Sequence, residues 1–202
     1  MLNNRDYTII IDKSGSMATC DQAGNRSRWL AARESTEAFA RKCETLDPDG
    51  LTLYVFASRF RRYERVTADR VATVFVENEP CGGTDLAGVL EHAFGGYFDR
   101  KGSGSSRPET ILVVTDGAPD DEKAVMRALI KASKRVVDPS ELVVTFIQVG
   151  TDPAARKFLK ILDDELTRAG APVDLCSTVT LDEAEGMGLT DVLMQSLTGG
   201  AV

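Results

Sequence analysis

The amino-acid sequence predicts an α/β fold of three layers, in which a mostly parallel six-stranded sheet lies between helices on both faces. Short runs rich in β-branched residues alternate along the chain with longer segments whose apolar residues recur at helical spacing, which is typical of parallel strands joined by helices. One pair of neighbouring strands is joined by only two residues, and so short a link permits only an antiparallel hairpin. One strand is therefore expected to run against the others.

The length and charge of the chain narrow the class of protein. The 202 residues, 43% hydrophobic and 27% charged, describe a soluble globular chain, and we expect one domain over residues 1–202 because domains have about 150 residues. The formal net charge of −7 disfavours nucleic acid as a partner, since a phosphate backbone is bound chiefly by clustered cations. We expect the isolated protein to be a monomer.

The first 66 residues contain three predicted strands and one long helix. Tyr7–Ile11 is a short β-branched run that predicts a buried strand, and Ser27–Leu46 has apolar and charged residues at helical spacing. The Asp-Pro-Asp-Gly sequence at 47–50 ends that helix as a turn. Leu51–Ala57 and Phe60–Val66 are the two strands of the predicted hairpin.

From Ala68 onwards, the chain continues with further predicted helices and strands. Ala68–Phe75 predicts a short helix, Asp85–Phe98 restores helical spacing, and the Gly/Ser-rich residues 102–106 predict a flexible loop. Thr110–Thr115 is almost continuously apolar, as a strand covered on both faces should be. The remaining predicted elements are the helix Asp121–Val137, the strand Leu142–Val149, the helix Pro153–Ala169, the strand Val173–Ser177 and the helix Leu181–Leu197.

The sequence shows no sign of export or of a zinc centre. No basic region precedes the first apolar run, and no apolar window approaches the roughly 20 residues that cross a bilayer, so we expect a cytoplasmic protein with no membrane partner. The four cysteines, Cys20, Cys43, Cys81 and Cys176, stand far apart and His92 is the one histidine, so we expect reduced thiols.

Oxygen-bearing side chains follow the ends of predicted strands. Asp12, Ser14 and Ser16 come after the first strand, Asp116 follows the strand Thr110–Thr115, and Thr84 precedes a helix. Ligands bind at the carboxyl ends of strands in such sheets, and hard oxygen donors suit Mg²⁺, Mn²⁺ or Ca²⁺. Two carboxylates would balance one divalent ion, which leaves it able to accept a carboxylate from another protein.

Three segments of the chain together resemble a known metal site. They are Asp12-Lys13-Ser14-Gly15-Ser16, the triplet Gly83-Thr84-Asp85 and the strand-to-loop sequence over residues 111–117. They are similar to the metal-ion-dependent adhesion site (MIDAS) of the von Willebrand factor A (VWA) domain family, with all five metal-site positions present in order. The resemblance covers essentially the whole chain and implies a Rossmann-like, doubly wound sheet with one antiparallel edge strand.

The resemblance also implies roles for the five residues. Asp12, Ser14 and Ser16 would be loop ligands of the metal, Thr84 a direct or water-mediated ligand, and Asp116 a ligand mostly through water. Members of the family with this site usually bind protein ligands, and the chain resembles cytosolic stand-alone members in bacteria. We therefore expect a binding module that uses Mg²⁺, or Mn²⁺ or Ca²⁺, to capture an Asp or Glu side chain of a partner protein, and not an enzyme.

Two other functions stay open at this point. An aspartate after the first strand of an α/β sheet can be phosphorylated, so a Mg²⁺-dependent phosphatase or phosphotransfer enzyme using Asp12 is one alternative. A scaffold protein with a vestigial metal site is the other.

Two features near these loops have alternative interpretations. Arg59, Arg61, Arg62 and Arg65 form a dense basic stretch, either a docking surface or, as we prefer, charges that protect an exposed edge strand from pairing. The Cys20 and Cys81 thiols flank the metal loops, where a redox-dependent disulfide over the site is a less favoured interpretation.

Overall fold

A computed structural model describes Leu2 and residues 4–104, 107–187 and 191–194 of the chain. Two short 3₁₀ turns, Gly15–Ala18 and Ala23–Asn25, lie between the first strand and the first helix. The strands are β1 Asp6–Asp12, β2 Leu51–Phe56, β3 Phe60–Val66, β4 Glu109–Thr115, β5 Leu142–Gln148 and β6 Cys176–Thr180. The helices are α1 Arg28–Leu46, α2 Ala68–Val76, α3 Leu86–Gly102, α4 Glu122–Ser133, α5 Pro153–Glu165 and α6 Leu181–Met187.

The six strands form one sheet in the order β3-β2-β1-β4-β5-β6. All neighbours are parallel except β2 and β3, which form the antiparallel hairpin, so β3 is the antiparallel edge strand. This confirms the predicted fold class. The strand order reverses at β1, whose two neighbours are β2 and β4. Because ligands bind outside the carboxyl ends of the strands at such a reversal, the loops after β1 and β4 are well placed for a site.

Apolar side chains on the two faces of the sheet build two separate cores. On one face, Ile10 and Phe146 pack with α3, α4 and α5, and on the other face Ile11 and Leu112 pack with α1 and α2. All seven residues of β4 are buried, because both of its faces are covered. This explains why the centre of the strand, Ile111–Val114, is continuously apolar instead of alternating.

Some predicted element ends were wrong by a few residues. The last strand begins at Cys176 instead of Val173, because the Asp174 carboxylate accepts the N–H of Cys176 at 3.0 Å and holds the preceding residues in a turn. Helix α5 ends at Glu165, before Ala169, and Gly170 continues the turn with a φ of +108°. Helix α4 ends at Ser133, before Val137.

Part of two sequence-based predictions falls on residues that the structure does not describe. The predicted helix Leu181–Leu197 is confirmed at α6, and residues 191–194 are also helical. Residues 188–190 and 195–202 lie outside the described residues. Ser105 and Ser106 of the predicted Gly/Ser-rich loop lie outside them too. Among the described helices, none combines the length and the hydropathy that crossing a membrane requires.

Truncation of a side chain in the centre of the sheet tests how much this packing contributes to stability. Leu112 of β4 is 0% exposed, and we expect Leu112→Ala to lower the free energy of unfolding by about 2–5 kcal/mol in urea denaturation. Val137, which is 85% exposed, supplies the control, and Val137→Ala should change it by less than about 0.5 kcal/mol. Equal effects of the two substitutions would contradict the assigned core.

Candidate metal centre

The candidate site begins where β1 and β4 end side by side. In the pairing of these strands Ile11 lies opposite Val114, so the next residues, Asp12 and Thr115, are neighbours. The Thr115 hydroxyl donates to Asp12 Oδ2 at 2.7 Å, and the N–H of Ser14 donates to Asp12 Oδ1 at 2.7 Å. The Asp12 side chain is 0% exposed. The first loop is therefore folded back onto the carboxylate that ends its own strand.

Two serine hydroxyls connect the first loop to the loop after β4. Ser14 Oγ lies 3.0 Å from Ser16 Oγ, and Ser16 Oγ donates to Asp116 Oδ1 at 2.9 Å. Asp116 is 0% exposed, whereas Ser16 is exposed, so the cluster extends from the interior to the surface. Four of the five residues predicted to bind a metal thus lie in one hydrogen-bonded cluster.

The fifth predicted residue, Thr84, is held beside this cluster through its backbone. Gly15 N–H donates to Gly82 O at 3.2 Å, which joins the first and second loops. Thr84 N–H donates to Asp120 Oδ2 at 2.9 Å, and Asp120 N–H donates to Thr84 O at 3.0 Å. A Cβ atom at Gly83 would lie 2.7 Å from Asp120 Oδ2, so the loop needs glycine there. The Thr84 hydroxyl makes no hydrogen bond within the described part of the chain.

An arginine that the sequence analysis missed lies against the cluster. Arg28 Nη1 donates to Asp116 Oδ2 at 2.8 Å, and Arg28 Nε donates to Asp21 Oδ2 at 3.0 Å. Hydrogen bonds from Arg28 hold the pKa of Asp21 below its ordinary value, and the two carboxylates raise the pKa of Arg28. A signal was present in the sequence: Arg28 is the first residue of α1, where the helix dipole favours an acid over a base.

The electrostatics of the cluster are those of a buried acidic pair. Burial, and to a smaller extent the nearby Asp116 carboxylate, raise the pKa of Asp12 from 3.8 to about 6. The hydrogen bonds from Ser14 and Thr115 act in the opposite direction, because they favour the charged form. Two carboxylates thus face one guanidinium, which is also shared with Asp21. Three carboxylates against one guanidinium give this part of the molecule a negative formal charge when they are ionised.

The donor set suits a small divalent cation. It consists of oxygens alone. Within the described residues, no three or more His, Cys, Asp and Glu side chains are grouped so that they could hold a metal, so a cation here would depend on hydroxyl oxygens as well as carboxylates. Neighbouring ligands of octahedral Mg²⁺ lie about 3 Å apart, since Mg–O bonds are about 2.1 Å long. The hydrogen-bond distances of 3.0 Å between the Ser14 and Ser16 hydroxyls and 2.9 Å between Ser16 and Asp116 are compatible with this value.

The basic stretch of β3 is divided between two environments. Arg62 pairs with Glu64 at 2.9 Å, while Arg59 and Arg61 have no ion pair within the residues that the structure describes. These two arginines line an open groove of about 830 Å³ whose wall includes Lys13 of the first loop. The groove therefore adjoins the candidate metal centre.

The thiols and the histidine take no part in the cluster. Cys20 and Cys81 are free and exposed, so the structure contains no disulfide between them, and Cys43 and Cys176 are free and buried. His92 is an exposed residue of α3, and its Nδ1 lies 3.0 Å from the Tyr54 hydroxyl.

Comparisons with known proteins agree with this architecture. The crystal structure of the SpRpn10 VWA domain matches with a TM-score of 0.65 over 98% of each chain, at 17% identity. Manganese-loaded TRAP protein of Plasmodium vivax matches with a TM-score of 0.56 over 92% of this chain and 72% of that one, at 16% identity. A PilB minor pilin variant of Streptococcus sanguinis reaches 0.66 over 98% of this chain and 62% of its own, at 13% identity.

These likenesses establish a shared fold, and a sequence comparison establishes the family. No curated protein sequence matches the chain. The profile of the von Willebrand factor type A domain matches residues 7–118, a segment that begins in β1 and includes all five candidate ligands. Since this segment is more than half of the chain, the protein belongs to the von Willebrand factor type A domain family.

Proposed function

We propose that this domain binds one divalent cation and uses it to capture an acidic side chain of a partner protein. Mg²⁺ is the favoured ion, and Mn²⁺ or Ca²⁺ are the substitutes. The residues that would hold it are Asp12, Ser14, Ser16, Thr84 and Asp116. The observation that carries the proposal is the pair of buried carboxylates, Asp12 and Asp116, connected by two serine hydroxyls that lead to the surface.

The chain's own residues prepare this site in defined ways. Thr115 and the Ser14 N–H orient the Asp12 carboxylate, and Asp120 holds the Thr84 loop against the other two loops. The hydroxyls of Ser14 and Ser16 offer oxygen without adding negative charge. A bound divalent cation supplies an electrophilic centre, and with two acidic ligands its charge is balanced without strong repulsion of a third carboxylate.

The family supports a binding function for the whole domain. VWA domains commonly mediate protein–protein interactions, and the manganese-loaded TRAP protein shares the fold of this chain. The single domain over residues 1–202, the cytoplasmic location, the bacterial type and the monomeric state stay predictions from the sequence.

The environment of Asp12 is unfavourable for the phosphatase alternative. A nucleophilic carboxylate must reach a phosphorus atom, but Asp12 is fully buried and both of its oxygens accept hydrogen bonds. Hydrolysis of para-nitrophenyl phosphate by the wild type and not by Asp12→Asn would nevertheless favour the enzyme.

Metal binding is tested by thermal stability. We expect Mg²⁺ or Mn²⁺ to raise the melting temperature of the wild type, since a ligand at 100 times its Kd stabilises the folded state by about 2.7 kcal/mol. Asp12→Ala should abolish the shift, whereas Asp99→Ala, at an exposed helix position, should keep it. An equal shift in both variants would refute the site, and no shift in the wild type would favour the vestigial scaffold.

Capture of an acidic side chain is tested with two matched peptide libraries that differ only in a fixed Glu or Gln. Immobilised wild-type protein in Mg²⁺ should retain the Glu library more strongly, because a carboxylate can complete the shell of the ion and an amide is a weaker ligand. In EDTA the two libraries should be retained equally. Equal retention in Mg²⁺ would contradict carboxylate capture, whatever the metal affinity.

The pH dependence of the metal-free protein tests the buried carboxylate. Between about pH 4 and pH 6 the folded state keeps a proton on Asp12 that the unfolded chain releases, so this group lowers stability as pH rises through that window. In EDTA at pH 7.5, Asp12→Asn should therefore be more stable than the wild type by roughly 1–3 kcal/mol in urea denaturation. The difference should shrink towards pH 4.5, and a difference that grows instead would contradict the assigned sign.

A further inference from the structure

We infer that Arg28 is a built-in counter-ion of the candidate metal centre, which competes with a divalent cation for Asp116 and so sets the metal affinity. This inference rests on the proposed metal site. Arg28 is not one of the five predicted ligands, but its positive charge offsets the negative charge of the ligand carboxylates.

Both carboxylate oxygens of Asp116 accept hydrogen bonds from side chains. Its Oδ1 accepts the Ser16 hydroxyl at 2.9 Å and its Oδ2 accepts Arg28 Nη1 at 2.8 Å. Asp116 is fully buried, and a buried carboxylate without a cationic or hydrogen-bonding partner is costly. The guanidinium therefore compensates the charge of Asp116.

Several segments of the chain hold Arg28 in position. The Ser27 hydroxyl caps α1 by accepting the N–H of Leu30 at 3.1 Å, which fixes the first turn of the helix. A Cβ atom at Gly150, whose φ is +76°, would lie 2.7 Å from Arg28 Nε, so a glycine makes room for the guanidinium. The Arg28 side chain is only 12% exposed. Such a defined site is unlike a loosely held surface arginine.

A second carboxylate, that of Asp21, also pairs with the Arg28 guanidinium. Arg28 Nε lies 3.1 and 3.0 Å from the two carboxylate oxygens of Asp21, whose side chain is 32% exposed. When the Asp116 contact is lost, Arg28 can stay paired with Asp21 without leaving the region. A cation beside Ser16 would meet Asp116 Oδ1, while Arg28 donates to Oδ2, so the guanidinium competes for the charge of Asp116 and can shift towards Asp21 when the cation binds.

The direction of the effect follows from charge. Asp12, Asp116 and Asp21 carry a formal charge of −3 when ionised, and Arg28 reduces it to −2. Removal of the guanidinium charge leaves a divalent cation facing one more uncompensated negative charge, and at the effective dielectric of a partly buried site we expect about tenfold tighter Mg²⁺ binding.

The test compares the Mg²⁺ affinity of wild type, Arg28→Gln and Arg28→Lys by isothermal titration calorimetry, with melting temperatures in EDTA as a second readout. Arg28→Gln should melt lower than the wild type in EDTA, bind Mg²⁺ about tenfold more tightly and show the larger Mg²⁺-induced shift. Arg28→Lys keeps the charge and should stay close to the wild type. Arg41→Gln, at an exposed position of the same helix, should change neither quantity.

Asp21→Asn provides an independent variant that does not alter the arginine. It removes the alternative partner of Arg28, so the guanidinium should hold Asp116 more firmly and Mg²⁺ should bind several-fold more weakly than in the wild type.

The outcomes separate the inference from the proposed function. Mg²⁺ binding by the wild type with equal or weaker binding by Arg28→Gln would overturn the inference and leave the metal site intact. Binding by Arg28→Gln alone would support the inference, because it would show a site suppressed by its own arginine. Absence of Mg²⁺ binding in the wild type and in every Arg28 variant would overturn the proposed function and the inference with it.

Discussion

The burial of two carboxylates at the end of two adjacent strands is the constraint on which the site depends. Asp12 and Asp116 are both fully buried, and side chains or backbone N–H groups of four other residues occupy their oxygens. A buried charge is tolerated only when it is paired and hydrogen-bonded. The conformations of the loops after β1 and β4 are therefore largely those that bring donors to these two carboxylates.

The sheet topology explains why the two acids meet. Because β1 lies between β2 and β4, the strand order reverses at β1. The carboxyl ends of β1 and β4 are therefore neighbours, and the loops that follow them start side by side before they diverge. Apolar packing on both faces fixes the register that sets Asp12 beside Thr115. The cores stabilise the strands, and the strands in turn impose the proximity of the charges.

The sequence predicted the strands better than their ends, and it indicated the clustered loop residues but not the arginine beside them. The alternation of apolar runs and the two-residue link were enough for six strands and their hairpin, since both are local signals. The start of β6 depends on the hydrogen bond of Asp174 to the Cys176 backbone, which periodicity does not contain. Four candidate ligands converge because strand ends meet at one edge, whereas Arg28 reaches Asp116 across 88 residues of sequence from a helix.

The local charge pattern, more than the net charge, decides which partner such a site accepts. A net charge of −7 repels an acidic partner at long range, but charges separated by more than about 8 Å are largely screened at physiological ionic strength. Within the groove beside the site, Lys13, Arg59 and Arg61 stand against Glu77 and Glu79, which leaves one net positive charge next to the loops. An acidic segment that reaches the groove therefore meets attraction where the protein as a whole repels it, and this favours a partner whose acid is presented on a short, locally exposed element.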